Sequence, residues 1–412
     1  MKAVILVGGE GTRLRPLTLS RPKPMQPVVN RPFLEHVLTS LRMYDVTEIV
    51  LSMCYLPGMI QDYFGDGSAF GVRLAYVIEQ EALGTAGAVK YVQEQGYLDD
   101  EPFFVLNGDI LTDLDLQAML AFHRSRHAVG TIALTPVEDV RAYGLVETDA
   151  SRRVKRFIEK PKTLEGITTN LINAGTYILD PAVLRLAPSG QFYQFEQGLF
   201  PTLLAEGKAL FGYPDTSYWL DIGTPEKYKT ANIDMLCGLV HGQTNGEQRA
   251  ERVWVGAGCQ IDPTAELLGP VVLGSGCVIG AGAKLIGPVV LGEGCRIGLE
   301  VQIERAVLWE QVTVGESSSA PASGQPNAQT AAEHTGQRGT GSGQSPSGTL
   351  VVKSTQTIIR ESVIGAHSTI ASGCQVQGAI LADHCVVETG NVLGAGLKLW
   401  PHRTLPAQTI TF

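Results

Sequence analysis

No two cysteines in this 412-residue chain have the C-x-x-C spacing, and the seven present are an odd number. A disulfide framework is therefore not expected, and free thiols in a reducing compartment are. There is no apolar run of about 18 residues, the length needed to cross a bilayer. The opening MKAVILVGG has too short an apolar stretch for a secretory signal, so a cytoplasmic location is expected. Positive charge is also scarce. With 32 Lys and Arg against 41 Asp and Glu, the net charge is −9. Nucleic acid and anionic membranes are not expected partners, and an anionic ligand must be met by a local basic cluster. What remains, 44% hydrophobic and 18% charged residues, is the composition of a soluble globular chain long enough for two domains.

The familiar phosphate loops are missing as well. Residues 8–24 read GGEGTRLRPLTLSRPKP, with no Gly-Lys-Ser/Thr for a Walker A loop and with G-G-x-G instead of G-x-G-x-x-G. Yet the glycines follow the apolar run AVILV, and three arginines and a lysine follow them. Apolar runs and helical patterns then alternate: FLEHVLTSLRMYD, EIVLSM at 48–53, PGMIQDYFG, LAYVIE at 74–79, a helical segment from about Thr85, and FFVLNGD at 103–109. This alternation predicts an α/β fold around a parallel sheet covered on both faces. Ligands of such sheets sit at the carboxyl ends of the strands, where the glycine loop and Asn107-Gly108-Asp109 both fall.

From residue 252 the pattern changes. Apolar residues recur every six positions at Val255, Ile261, Leu267, Leu273, Ile279, Leu285, Leu291, Ile297 and Ile303, and VGAGC, LGSGC and LGEGC repeat every 18. Eighteen residues make three short strands, one coil of a left-handed parallel β-helix, expected over 252–412. Residues 236–251 are read as a linker. The Ser-, Gly- and Gln-rich stretch at about 316–349 has little to bury and is expected to be a disordered insertion, after which the repeat resumes at Ile358, Ile364, Ile370 and Val376. Cys259, Cys277 and Cys295 lie 18 apart and should stack as small core residues; no histidine shares their period to make a metal ladder.

Eight ordered motifs, GGEGTRLRPLT, KP at 23–24, LGTAG at 83–87, NGD at 107–109, YGLVE at 143–147, EKP at 159–161, NAGTYIL at 173–179 and WLDIGTPEKY at 219–228, resemble those of the sugar-nucleotide pyrophosphorylases. The chain is most similar to mannose-1-phosphate guanylyltransferases, with glucose-1-phosphate thymidylyl-, adenylyl- and uridylyltransferases as alternatives. The resemblance covers about residues 1–235 and implies there a Rossmann-like α/β domain with a mixed, mostly parallel sheet, in which a nucleoside triphosphate and a sugar 1-phosphate give a nucleotide sugar and pyrophosphate. The nucleophile is a phosphate oxygen already largely ionised at neutral pH, so no general base is needed. Gly8, Gly9, Gly11 and Thr12 would let the backbone approach the triphosphate. Arg13 and Lys23 would neutralise the departing charge. Gln80, Gly84 and Thr85 would read the base. Gly144, Glu159, Lys160, Asn173 and Gly175 would hold the sugar phosphate. Asp109 and Asp221 would hold Mg²⁺, a hard cation suited to one or two carboxylates plus phosphates.

Two positions depart from that pattern: Glu10 puts a carboxylate near the triphosphate path and is expected to point outward, and Gln26 replaces an apolar residue. Arg15 is equally open to pairing with a surface carboxylate, and Asp113 and Asp115 are expected to cap the next helix. Two other functions remain open: a non-catalytic regulatory subunit, and acyl transfer on the β-helix with His367 or His384 as base. A homo-oligomer built partly through the β-helix is the expected assembly.

Overall fold

The computed structural model describes residues 1–161, 163, 167–242, 244, 246–316 and 356–409. Most of the 316–349 insertion lies outside the described residues; Glu316 ends a strand. The first half forms around a nine-stranded mixed sheet. Its strands and helices, in chain order, are β1 (Lys2–Leu6), α1 (Phe33–Met43), β2 (Glu48–Met53), α2 (Pro57–Phe64), β3 (Arg73–Ile78), α3 (Gly84–Glu94) and β4 (Phe103–Asn107). There follow β5 (Ile110–Thr112), α4 (Leu116–Ser125), β6 (Gly130–Pro136), β7 (Gly144–Thr148), β8 (Val154–Glu159) and β9 (Leu171–Leu179). The half closes with α5 (Phe200–Ala205), β10 (Leu210–Pro214), β11 (Trp219–Asp221) and α6 (Pro225–Leu236).

The main path of the sheet runs β8-β7-β9-β4-β1-β2-β3, with β6 on β9 and β10 on β6. β4, β1, β2 and β3 are parallel, and β9 runs against β4. Their apolar runs are continuous because both faces are covered. Helix α1 buries Phe33, Leu34, Val37, Leu38 and Leu41, a single stripe at helical spacing. Apart from the sheet, β5 and β11 form an antiparallel ribbon that places Asp221 opposite Ile110.

The second half is a left-handed β-helix of three sheets, with eight, seven and six strands, all parallel but one. A short strand, β12 (Glu247–Ala250), lies antiparallel on its first strand, β13 (Val253–Val255). The inward column Val255, Leu273, Leu291, Leu308, Ile364, Leu381 shows the period shorten from 18 to 17 residues after Leu291. On the neighbouring flank, Ile303 pairs with Ile359, so the fully buried Ile359 faces inward where the six-residue count points to Ile358. The thiols of Cys259, Cys277 and Cys295 each point at a carbonyl of the following coil, on Gly274, Gly292 and Trp309, at 3.0–3.1 Å. These cysteines pack as core residues.

One flank of the β-helix also has an apolar outer face. Val272, Val290, Val307, Val363 and Ile380 stack outward and join the same core as Val28, Val29 and Tyr228 of the first half. Trp309, 2% exposed, donates its indole N–H to the Tyr228 hydroxyl at 2.9 Å. Around this plug, Asn30 donates to the Leu291 carbonyl at 2.8 Å, Lys229 pairs with Glu361 at 2.7 Å, and Arg21 pairs with Glu310 while lying over the Trp309 ring. Ser20 donates to Asp383 at 2.5 Å.

Candidate active site

β1 ends at Leu6, and the glycine loop leads into a single 3₁₀ turn, Thr12–Leu14. Gly9, Thr12 and Arg13 are exposed, and Gly11 takes a left-handed conformation, φ 62°, with its carbonyl accepting from Thr18 Oγ1 at 2.9 Å. Glu10 does point outward and pairs with Arg15 at 3.0 Å, so the two open questions of this loop answer each other. Gln26 is fully buried and donates from Nε2 to the carbonyls of Leu17 and Arg21 at 3.1 and 3.0 Å. It pins the loop that delivers Lys23.

Lys23 Nζ lies 2.5 Å from Asp109 Oδ2. The Ile222 N–H donates to the Asp109 carbonyl at 3.0 Å, which sets Asp109, in the turn before β5, beside the end of β11 that carries Asp221. Asp221 is buried, and Oδ2 receives Lys227 Nζ and the Tyr143 hydroxyl, the latter at 3.1 Å; Oδ1 accepts the Gly223 N–H. Burial raises the proton affinity of this carboxyl, but Lys227, Tyr143 and Gly223 outweigh it and hold the group below its usual range. A Cβ on Gly223 would stand 2.6 Å from Asp221 Oδ1 and 3.1 Å from Arg13 Nη2, so Gly223 lies against both this carboxylate and the Arg13 guanidinium. Lys227 enters from the first turn of α6, capped by Thr224. It is the cation that motif reading passed over, although it stands in WLDIGTPEKY six residues after Asp221.

The sugar-side residues surround the same ribbon. β9 bulges between Asn173 and Tyr177, and Gly175 turns left-handed there, φ 74°, against Asn107. Asn173 donates to Glu196 at 2.8 Å and to Tyr177 at 2.9 Å, while Trp219 donates to the Ala174 carbonyl at 2.9 Å. Glu196 sits on a π-helical turn, Phe195–Leu199, a local irregularity for which sequence offers no signal. Gly144 pairs with Glu159 across β7 and β8, and the Lys160 N–H donates to the Tyr143 carbonyl at 3.2 Å. The Glu159 side chain lies outside the described residues.

At the ends of β1, β2 and β3, Gly8, Ser52, Cys54, Glu79, Gly84 and Thr85 line a cavity of about 150 Å³. Thr85 Oγ1 accepts the Phe195 N–H at 2.9 Å. Gln80 is exposed beyond the strand end; the buried acid next to it, Glu79, faces the cavity instead. Asp115 caps α4 through the Ala118 N–H, whereas Asp113 accepts the His241 N–H and does not cap. His367, His384 and His402 stack as exposed rings at a corner of the β-helix, with centroids 4.7–4.9 Å apart.

A sheet with glycine loop, lysines and carboxylates at the carboxyl ends of its strands, joined to a hexapeptide β-helix, defines a class that the comparisons name. Residues 2–237 match the nucleotidyl transferase family model, and residues 252–287 match the bacterial transferase hexapeptide (six repeats) model. A mannose-1-phosphate guanylyltransferase of Mycobacterium tuberculosis is 42% identical over 272 residues, covering 66% of this chain and 74% of its own. A UTP–glucose-1-phosphate uridylyltransferase of Synechocystis is 37% identical, with the same shares covered. Among solved structures, a putative glucose-1-phosphate thymidylyltransferase of Bacillus anthracis in complex with a sucrose aligns with TM-score 0.53 and 25% identity, over 60% of this chain and 98% of that one. The chain belongs to the nucleotidyl transferase family and is a nucleotidyltransferase.

Proposed function

We propose that the enzyme transfers the guanylyl group of GTP to mannose 1-phosphate, giving GDP-mannose and pyrophosphate. The observation that carries this reading is the convergence of Arg13, Lys23, Lys227, Asp109 and Asp221 on one ribbon at the carboxyl end of the sheet. The names of the guanylyltransferase relatives support the choice of base and sugar. A phosphate oxygen of the sugar 1-phosphate attacks the α-phosphorus, and the bond from that phosphorus to the bridging oxygen of pyrophosphate breaks. Backbone amides of Gly8 to Thr12 hold the triphosphate, and Arg13 and Lys23 meet the charge that grows on pyrophosphate. Lys160 meets the sugar phosphate, while Gly144, Glu159, Asn173 and Gly175 orient the sugar.

Asp109 and Asp221 fit a Mg²⁺ site. They are two hard carboxylates brought side by side by the Ile222–Asp109 backbone hydrogen bond, and Mg²⁺ suits one or two carboxylates with waters and phosphate oxygens as its remaining ligands. The ion would supply charge neutralisation at the reacting phosphates. Among the described residues no helix is long and apolar enough to cross a membrane. The hexapeptide half supports a homo-oligomer, whose mass light scattering would measure.

Pyrophosphate release with GTP, ATP, UTP and dTTP, each against mannose and glucose 1-phosphates, tests the proposal. GTP with mannose 1-phosphate should lead. A lead for dTTP or UTP with glucose 1-phosphate would replace the substrates, and silence for every pair would point to a non-catalytic subunit.

A further inference from the structure

We infer that the β-helix takes part in the transfer reaction by positioning Lys23: Glu310 and Asp383, two acids on one corner of the β-helix, hold the loop that delivers this lysine. The inference rests on Lys23 serving the triphosphate, as proposed above. Lys23 is 9% exposed and follows an irregular stretch, residues 15–22, that belongs to no helix or strand. A lysine ammonium rides on a flexible four-carbon stem, so it is placed only as well as its backbone is. With no regular structure to hold it, that backbone must be anchored from outside.

The anchors come from the β-helix. Ser20 donates to Asp383 Oδ2 at 2.5 Å, and the other oxygen of that carboxylate accepts the Ala366 N–H at 2.9 Å. Asp383, 6% exposed, is thus fixed by its own corner before the loop reaches it. Arg21 pairs with Glu310, and its guanidinium carbon lies 5.1 Å from the centre of the Trp309 ring. The Arg21 carbonyl in turn accepts Gln26 Nε2, so Lys23 falls between two held residues. Thr18 donates to the Gly11 carbonyl at 2.9 Å, which ties the same loop to the glycine loop.

The β-helix departs from its own repeat to make these contacts. The residue after each member of the inward column is Gly256, Gly274, Gly292, Gly365 or Ala382, but it is Trp309 in the coil that meets Tyr228. One place further on, Glu310 and Asp383 occupy the position held by Ala257, Ser275, Glu293 and Ala366 in the other coils. Trp309 also fixes the far end of the segment, because the Tyr228 hydroxyl that accepts its indole N–H donates to the Pro27 carbonyl. One corner therefore grips the chain on both sides of Lys23. A lysine aimed at charge that appears only on departing pyrophosphate works through its placement, and a misplacement of ~1 Å costs up to about 100-fold in rate. Glu310 and Asp383 are positioning residues in this sense.

Glu310→Gln and Ser20→Ala each release one anchor without altering a group in the cleft. Together, in the full-length chain, they should lower kcat by ~10- to 100-fold and leave the KM for mannose 1-phosphate within about threefold of the wild type. The thermal midpoint serves as the folding control. A cycle with Lys23→Met separates positioning from a general structural role: in that background the same two substitutions should cost less than about twofold. If the combined variant does not fold, Glu310→Gln alone should lower kcat several-fold and lose that effect beside Lys23→Met. An unchanged kcat in the folded variant, or an equal loss with and without Lys23, would overturn the assignment while leaving the cleft a nucleotidyl-transfer site. No pyrophosphate release from the unaltered enzyme with any nucleotide and sugar 1-phosphate pair would overturn both.

Discussion

Lys23 Nζ stands 2.5 Å from Asp109 Oδ2, and this pair has a counterpart one strand away, where Lys227 meets Asp221. Each carboxylate proposed to hold a metal ion is therefore matched by a lysine of its own. A cation arriving at Asp221 must compete with an ammonium group already there. Lys227→Met should tighten Mn²⁺ binding to the nucleotide-free enzyme by about tenfold, read by electron paramagnetic resonance; this corresponds to ~1.4 kcal/mol. Unchanged or weaker binding would remove the competition argument.

The Arg13 guanidinium lies against Gly223, two residues beyond Asp221. If its charge serves departing pyrophosphate, Arg13→Ala should lower kcat by ~100-fold while changing the KM for nucleotide by less than about fivefold. A rise in KM with kcat unchanged would instead assign Arg13 to ground-state binding.

Gly108 is required by the strand beside it. A Cβ there would stand 2.4 Å from Val7 Cγ1 and 2.8 Å from the Leu6 carbonyl. Gly108→Ala must push β4 away from β1, and an unfolding free energy lower by ~1–3 kcal/mol is expected, together with loss of activity as Asp109 moves. Denaturant titration would show it; wild-type stability would mean that the strands shift at no cost.

His123 is 2% exposed, with Nδ1 2.8 Å from Thr131 Oγ1. Burial pulls its pKa down to about 4, against a smaller upward influence from Asp180. The unfolded chain takes up this proton near pH 6.5, and the folded chain does so only near 4. Stability from this site is thus complete above pH 6.5 and is lost as pH falls toward 4, at up to ~1.4 kcal/mol per pH unit. Between pH 7 and 5 the wild type should lose about 2 kcal/mol more than His123→Gln in urea unfolding. Equal losses would contradict the burial argument.

The Glu10–Arg15 pair is largely exposed, and such pairs contribute ~0–1 kcal/mol. Glu10→Ala should therefore leave the KM for nucleotide within about threefold of the wild type. A larger change would bring Glu10 back to the triphosphate path.

Much of this arrangement was legible in the sequence because strands and turns write short-range patterns. EIVLSM and the hexapeptide columns carry their own periodicity, and a glycine loop after an apolar run marks a strand end. What stayed hidden depends on distant pairing. Glu79 and Gln80 are adjacent in sequence, and only the depth of the β3 end tells which enters the cavity. Glu196 reaches Asn173 from a π-turn that propensities do not encode. Ile358 and Ile359 could not be told apart once an insertion had broken the count. One available signal went unread: the unbroken VVL of GPVVL, where alternation would place a polar residue outward, marks a flank buried on both sides.

That doubly buried flank limits how the molecule can move. The family span closes at residue 237, but the packing does not: Trp309 is locked to Tyr228, and Arg21, Asn30 and Lys229 hold separate coils. A swing of one half against the other would have to break all of these contacts at once. Opening and closing around substrates is thus confined to the segments bordering the cleft, and the β-helix serves as the fixed frame against which they move.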